Sequence, residues 1–392
     1  MWTQRIRRSW WTVLVVLALA AAACGGGDGD PVDESADEPA TTPDTAAAEE
    51  GGDESATEED TVAEDGVAPD DADPEEMTDI TVLFPINSPI LHGFRVAMEA
   101  GYYAEEGLNP EFQFLDGGGE VVTQMLAGNA ELGLIPVGNV VEALSQGNTE
   151  LRAVWNQVYG SIFSIAVPED SDIQTAADLE GRSIGVSDLA GGELPTVRGI
   201  IRSAGLTEND VSITPVGEGT ALAVRAVQDG TVDAYGGSVN DIIALEVQGL
   251  ELRFLTPDEL LELPASGIVT LADYAESDPE VVEGFVRAST KGFQWAQDNP
   301  DATLAVLQEV TPEQFTDDTG GLIFEAVRPL TWPPEGTLAG TQSPESWRAL
   351  FDFIGAEQPD VPLEDIVIQD FIEAANDYDH EAVAADAEAY SP

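Results

Sequence analysis

Lysine is almost missing from this chain. Lys291 is the only one among 14 basic residues, which face 75 acidic ones for a formal charge of -61 over 392 residues. Nucleic-acid phosphates would be repelled by such a surface, so nucleic acid is excluded as a partner. An anionic membrane surface is excluded as a direct partner of the folded body for the same reason. The charge reads as solubility through self-repulsion, of the kind that high salt screens. Cysteine occurs once, at Cys24, so no internal disulfide framework and no cysteine-based metal cluster can form. With only His92 and His380 as histidines, a zinc site with several imidazole ligands is excluded too. No cofactor is expected.

What the amino terminus does contain accounts for the cysteine. Arg5, Arg7 and Arg8 form a basic leader, and residues 12–23 an apolar run too short to span a membrane comfortably. Ala21, Ala22 and Ala23 then lead directly into Cys24, a pattern similar to a bacterial lipobox with alanine where leucine is usual. Residues 1–24 are therefore expected to be a signal peptide whose Cys24 is lipidated. The alternative is an ordinary secretory signal with an incidental cysteine. The Arg7-Arg8 pair fits twin-arginine export, although its flanks match that signal poorly. From 25 to 78 the chain is almost entirely Gly, Ala, Asp, Glu, Thr, Ser and Pro, without a basic residue. Too few apolar side chains are present to bury a core, so this stretch is expected to be a disordered acidic tether. A lipid anchor with a hydrated leash would keep a folded domain concentrated near a membrane partner.

The body carries an internal repeat. Residues 114–147 read as strand, glycine loop, helix, turn, strand, polar loop and helix, and the same order returns over 213–249. Gly128 answers to Gly230, Gly147 to Gly249, and Leu151-Arg152 to Leu252-Arg253. Alternating strands and helices with short connections imply parallel βαβ units. Two copies imply two lobes, 79–162 with 265–392 and 163–264, joined by two crossovers. The expected fold is α/β, each lobe a mostly parallel sheet flanked by helices. Amphipathic helices are expected over 280–297 and 346–354, and a frayed acidic end from Asp377 on.

In parallel sheets, loops at the carboxyl ends of strands form the ligand crevice. The first lobe offers Pro85, Asn87 and Ser88, then Gly117, Gly118, Gly119 and Glu120, then Asn139. The second offers Ser187, Gly191, Gly192 and Glu193, then Ser238, Asn240 and Asp241. Glycines before a helix let backbone approach a ligand and aim free N–H groups and the helix dipole at it. The same glycines can instead serve only the turn. Tyr159, between the lobes, can stack on a planar ligand or pack half-buried. Asp241 can also simply cap the helix that follows it, and His92 is read as capping or packing the first helix. These loops contain no Lys or Arg. A polyanion is thus excluded, whereas nitrate or sulfonate at helix termini and a neutral or cationic solute remain open.

Several stretches together, HGFRVAMEAGYYAEEGL, DGGGE, LAGNAELGL, QTAADLEGRSIGV and VQDGTVDAY, resemble bacterial solute-binding proteins of ABC transporters. The type resembled is the nitrate/sulfonate/taurine and thiamine-pyrimidine-precursor group, and the likeness runs from about residue 79 to 375. It implies a two-lobed, type II periplasmic-binding fold that closes on a small molecule. It also implies a monomeric, extracytoplasmic receptor, anchored by its lipid, that hands the solute to an ABC permease with its ATPase. Pyrimidine-precursor binders carry W-x-P-N-x-N-H-x-G where this chain has FPINSPILHG. Pro85, Asn87 and Gly93 match, but His92 is one place off. Fungal pyrimidine synthases share the fold but use a cysteine-rich iron site that this chain cannot build. With no Ser/His/Asp constellation either, no enzymatic activity is expected. A solute-sensing surface protein without a permease is the third reading.

Overall fold

The computed structural model describes residues 77–219 and 221–390. The signal peptide, Cys24 and nearly all of the acidic tether lie outside the described residues. Two five-stranded sheets organise the rest. The first contains β1 (Thr78–Phe84), β2 (Leu108–Phe114), β3 (Leu132–Pro136), β4 (Leu151–Asn156) and β10 (Ser266–Leu271) in the order β2-β1-β3-β10-β4. The second contains β5 (Phe163–Pro168), β6 (Ser183–Val186), β7 (Ser212–Pro215), β8 (Ala234–Ser238) and β9 (Leu252–Phe254) in the order β7-β6-β8-β5-β9.

The two orders are the same order. Each sheet has one strand running against its neighbours: β10 is antiparallel to β3 and β4, and β5 to β8 and β9. These are the strands that the crossovers deliver. Both enter between two other strands because they are apolar nearly throughout: Phe163–Val167 and Ser266–Thr270 are buried. An edge position would leave one side of such a strand unpaired.

The helices that position the site are α1 (His92–Glu99), α2 (Gly118–Leu126), α3 (Val137–Ser145), α4 (Leu194–Ser203), α5 (Ala221–Gln228), α6 (Val239–Val247), α7 (Pro279–Asp298), α8 (Pro344–Ile354) and α9 (His380–Ala389). In the repeat, β2-α2-β3-α3-β4 corresponds to β7-α5-β8-α6-β9. The paired turn glycines have left-handed backbones of nearly equal φ, 72° and 67° at Gly128 and Gly230, 93° and 96° at Gly147 and Gly249. Side chains with a Cβ rarely adopt that conformation, so the glycine punctuation survives in both copies.

Against the first sheet, α1 and α7 enclose an aromatic cluster. Phe94 lies 5.2 Å from Phe84 and 5.1 Å from Phe293, ring centre to ring centre, and stacks on Phe285 at 6.2 Å. A second core runs continuously between the lobes. It joins Val137 and Val140 of α3 to Val197 and Ile200 of α4 through Trp347, Phe351 and Phe353 of α8. A Cβ on Gly199 would overlap the Phe353 ring, so α8 and α4 are in direct contact. The amphipathic pattern of α8 thus serves a bridge between lobes, a use that its period alone does not reveal.

The carboxyl-terminal stretch is a correction to the expected fraying. Residues His380–Ala389 are helical, with Val383 and Ala387 buried at i,i+4 spacing. Asp379 Oδ1 accepts from the N–H groups of Glu381 and Ala382 at 3.1 and 3.0 Å. Asn299 Nδ2 donates to the Ala387 carbonyl at 2.6 Å. A single side-chain cap and two small apolar contacts suffice there, a signal too weak to stand out in acidic sequence. Replacing Asp379 by Ala should cost about 1 kcal/mol. Hydrogen exchange should report it as faster exchange at the Glu381 and Ala382 amides, with the α7 amides unchanged.

Candidate functional site

The carboxyl ends of both sheets open on one cavity of about 80 Å³. From the first sheet, β1 runs into Pro85 and Ile86, the loop after β2 supplies Gly117 and Gly118, and β3 ends on Leu134 and Pro136. From the second, β6 leads to Ser187, Gly191, Gly192 and Glu193. The loop after β7 supplies Glu218, and β8 leads to Ser238, Asn240 and Asp241. The loops meet across the gap. A Cβ on Gly119 would lie 3.3 Å from the Ala190 carbonyl oxygen, and one on Gly192 would lie 2.7 Å from Pro136 Cγ.

Ten of the sixteen ligand candidates read from sequence line this cavity: Pro85, Gly117, Gly118, Ser187, Gly191, Gly192, Glu193, Ser238, Asn240 and Asp241. The other six are placed elsewhere. Asn87 is engaged on the surface, its Oδ1 accepting from Arg95 at 2.9 Å and its Nδ2 donating to Glu313 at 3.2 Å. Ser88 turns back to accept from the Ile90 N–H at 3.4 Å. Gly119 abuts Ala190, and Glu120 is exposed and accepts from the Asp116 N–H at 3.3 Å. Asn139 is buried behind Gly118. Tyr159 is pinned between the lobes, its hydroxyl accepting from the Gly340 N–H at 2.6 Å, and stacks on nothing in the cavity. His92 packs edge-on against Phe293 and Phe324 and bonds to Pro89 O and Thr331 Oγ1, each at 3.1 Å. Burial lowers its pKa to about 3, so it is neutral.

The crossovers contribute what the loop rule does not foresee. Gln157, Ile162 and Phe163 come from the first and Ser266 from the second, and all four line the cavity. The N–H groups of Gln157 and Val158 both donate to the Ser266 carbonyl, at 2.9 and 3.2 Å, so the crossovers are tied together beneath the cavity. Gln157 is fully buried; its Nε2 donates to the Ile90 carbonyl at 2.9 Å, while its Oε1 has no partner. Asn240 Oδ1 is likewise buried without a partner.

Two helix N-termini of the second lobe, those of α4 and α6, carry acidic side chains of their own. Glu193, at the start of α4, turns its own carboxylate back: Oε1 accepts from the Ser187 N–H at 2.9 Å and from the Ser187 hydroxyl. Asp241 Oδ2 accepts from the Ser238 N–H at 2.9 Å and hydroxyl at 2.6 Å, closing a capping box on α6. A built-in carboxylate thus closes the cap of α6, while Glu193 places a second one beside the start of α4 without bonding to that helix's N–H groups. Desolvation pushes Asp241 up to about 6 despite those hydrogen bonds. It also raises Glu193, with the Asp241 charge adding to the shift. Glu218, at the mouth, is raised by desolvation and by the charges of Glu193, Asp116 and Asp188.

An ion pair spans the lobes: Arg198 of α4 meets Glu142 of α3 at 2.8 Å, both about a third exposed. Exposed pairs contribute about 0.2–1 kcal/mol. Arg198→Ala should therefore weaken solute binding by at most about fivefold, with the difference shrinking at high salt in titration calorimetry.

Two topologically matched α/β lobes, two crossovers and a cavity lined from both sides define the two-lobed periplasmic binding-protein fold. A family model described as "NMT1/THI5 like" matches residues 88–303, more than half of the chain, and the protein belongs to that family. A formylaminopyrimidine-binding protein of Halalkalibacterium halodurans is 25% identical over 303 residues, covering 74% of this chain and 89% of that protein. The riboflavin-binding protein RibY of Chloroflexus aurantiacus is 27% identical over 234 residues, covering 57% of this chain and 64% of that protein. Among solved structures, the alkanesulfonate-binding protein SsuA of Xanthomonas axonopodis pv. citri, bound to MOPS, superimposes with a TM-score of 0.57 at 17% identity. That match covers 76% of this chain and 98% of SsuA and establishes the shared fold.

Proposed function

We propose that this protein captures a small organic solute between its lobes and delivers it to an ABC permease with its ATPase. The observation that carries the reading is the single cavity lined by the loops of two sheets of identical strand order and floored by both crossovers. Such an arrangement closes on a ligand by rotation about the crossovers. The curated relatives, both named as binding proteins, support capture over chemistry. The neutral, buried His92 lies outside the cavity and offers no base there. Lipidation at Cys24, suggested by the Ala21-Ala22-Ala23-Cys24 run, would hold the monomeric receptor outside the cytoplasm beside its permease.

Two measurements test this. Denaturing the protein purified from its native host should release one small solute, identified by mass spectrometry, and that solute should compact the emptied protein in small-angle scattering. A bound compound whose mass changes on incubation would assign turnover instead. Cys24→Ala should move the protein from the membrane fraction to the soluble extracytoplasmic fraction; unchanged fractionation would remove the lipid anchor.

A further inference from the structure

An acidic chain should be acidic on its surface, where charge keeps it soluble. Burying a carboxylate is a different matter, because desolvation is expensive unless a counter-charge or donors compensate. Among the described residues, only Glu193 and Asp241 are buried acids, at 3% and 8% exposure, and both line the cavity. Glu218 joins them at the mouth, and no Lys or Arg is among the lining residues. Two more acceptors lie in the same wall without a partner: Gln157 Oε1, in a side chain with 0% exposure, and Asn240 Oδ1, in one with 9%. The donors Ser187 and Ser238 are already consumed by Glu193 Oε1 and Asp241 Oδ2. The wall therefore presents acceptors and negative charge, with Phe163, Ile162 and Pro136 as apolar surface.

We propose that the solute is a small organic cation rich in N–H donors, of the amidinium or aminopyridinium class. This deepens the capture reading and rests on it. Glu193, Asp241 and Glu218 supply the counter-charge, Gln157 Oε1 and Asn240 Oδ1 accept N–H bonds, and the Phe163 ring covers the planar face. A metal ion is a poorer fit. Among the described residues, no group of three His, Cys, Asp or Glu side chains is disposed to hold one. A sulfonate or nitrate would meet the carboxylates of Glu193 and Asp241 beside the starts of α4 and α6.

The test is a charge-matched ligand series on the purified full chain: benzamidine, benzamide and benzenesulfonate, then acetamidine, acetamide and methanesulfonate. Titration calorimetry at pH 7.5 should find an amidinium binding at least tenfold tighter than its amide, with no measurable sulfonate binding. Glu218→Gln, at an exposed position that leaves folding intact, should cut the amidinium-over-amide preference by roughly three- to tenfold. Preferential binding of a sulfonate or amide overturns the cationic class while leaving solute capture standing. Failure of both amidines to bind, or an unaltered preference in Glu218→Gln, also overturns it. The solute recovered from the native protein reports on capture separately.

Discussion

Replacing Gly191 by valine should weaken solute binding about a hundredfold or more while leaving the protein folded. Gly191 is not among the positive-φ glycines, so valine is not forced into a left-handed backbone there. Its Cβ, however, would overlap Glu193 Oε2, with Oε1 only 2.6 Å away. The carboxylate must leave, taking with it the bonds to Ser187 and the charge at the cavity wall. Overpacking costs of about 1–3 kcal/mol fall on a loop outside both cores, so the melting temperature should drop by only a few degrees. The same displacement falls in full on binding, at about a hundredfold or more in Kd once a hydrogen-bonded charge is lost. Gly118→Val acts from the other lobe: its Cβ would overlap Asn139 Oδ1 and lie 2.7 Å from Pro136 Cδ. Calorimetry on both variants with the solute recovered from the native protein decides the matter. Wild-type affinity in both would make the glycines mere turn formers and dissolve the site as drawn here.

How much of this was legible in sequence follows from what each feature depends on. The repeat and the rim loops rest on local pattern, glycine punctuation and strand–helix alternation, and those stand plainly in the chain. Gln157 and Ser266 do not announce themselves. They meet beneath the cavity only because β10 returns from residue 266 to insert between β3 and β4, a pairing with no local signal. Tyr159 illustrates the converse: it lies in the crossover, but its hydroxyl is spent on Gly340 and the polar residue two places earlier lines the cavity. Glu193 and Asp241 were nameable as loop residues. What is hidden is that they are buried, since among 75 acidic residues nothing in composition distinguishes a buried carboxylate from a solvated one. At α6 the local reason is plain, since Ser238 and Asp241 close a capping box on that helix.

Acidification should stabilise the ligand-free protein, against the usual trend for carboxylates. Asp241 is raised from 3.8 to about 6 by desolvation, and Glu246, on the same helix, is raised to about 7 by the same cause. A raised pKa means that the folded state takes up the proton more readily than the unfolded chain. The stabilisation is full below the unfolded value and is lost as pH rises through the folded one. For Asp241 the window runs from about pH 4 to 7, and a shift of that size is worth about 3 kcal/mol across it. The surrounding titratable groups, Glu193, Glu218 and Tyr235, are all raised as well and so do not oppose it near neutrality. Asp178, Asp210 and Asp233 are held low by hydrogen bonds, so their contribution is lost only as pH falls below about 4. The apo melting temperature should thus peak near pH 5 and fall by several degrees toward pH 7.5. Asp241→Asn keeps an acceptor for the Ser238 N–H and should flatten that fall, which separates the effect from the self-repulsion of the whole acidic chain. An equal pH slope in the two proteins would mean that Asp241 titrates normally. With saturating benzamidine the slope should reverse, since ligand stabilisation grows as the carboxylates ionise. A benzamidine effect independent of pH would show that these carboxylates do not meet the ligand.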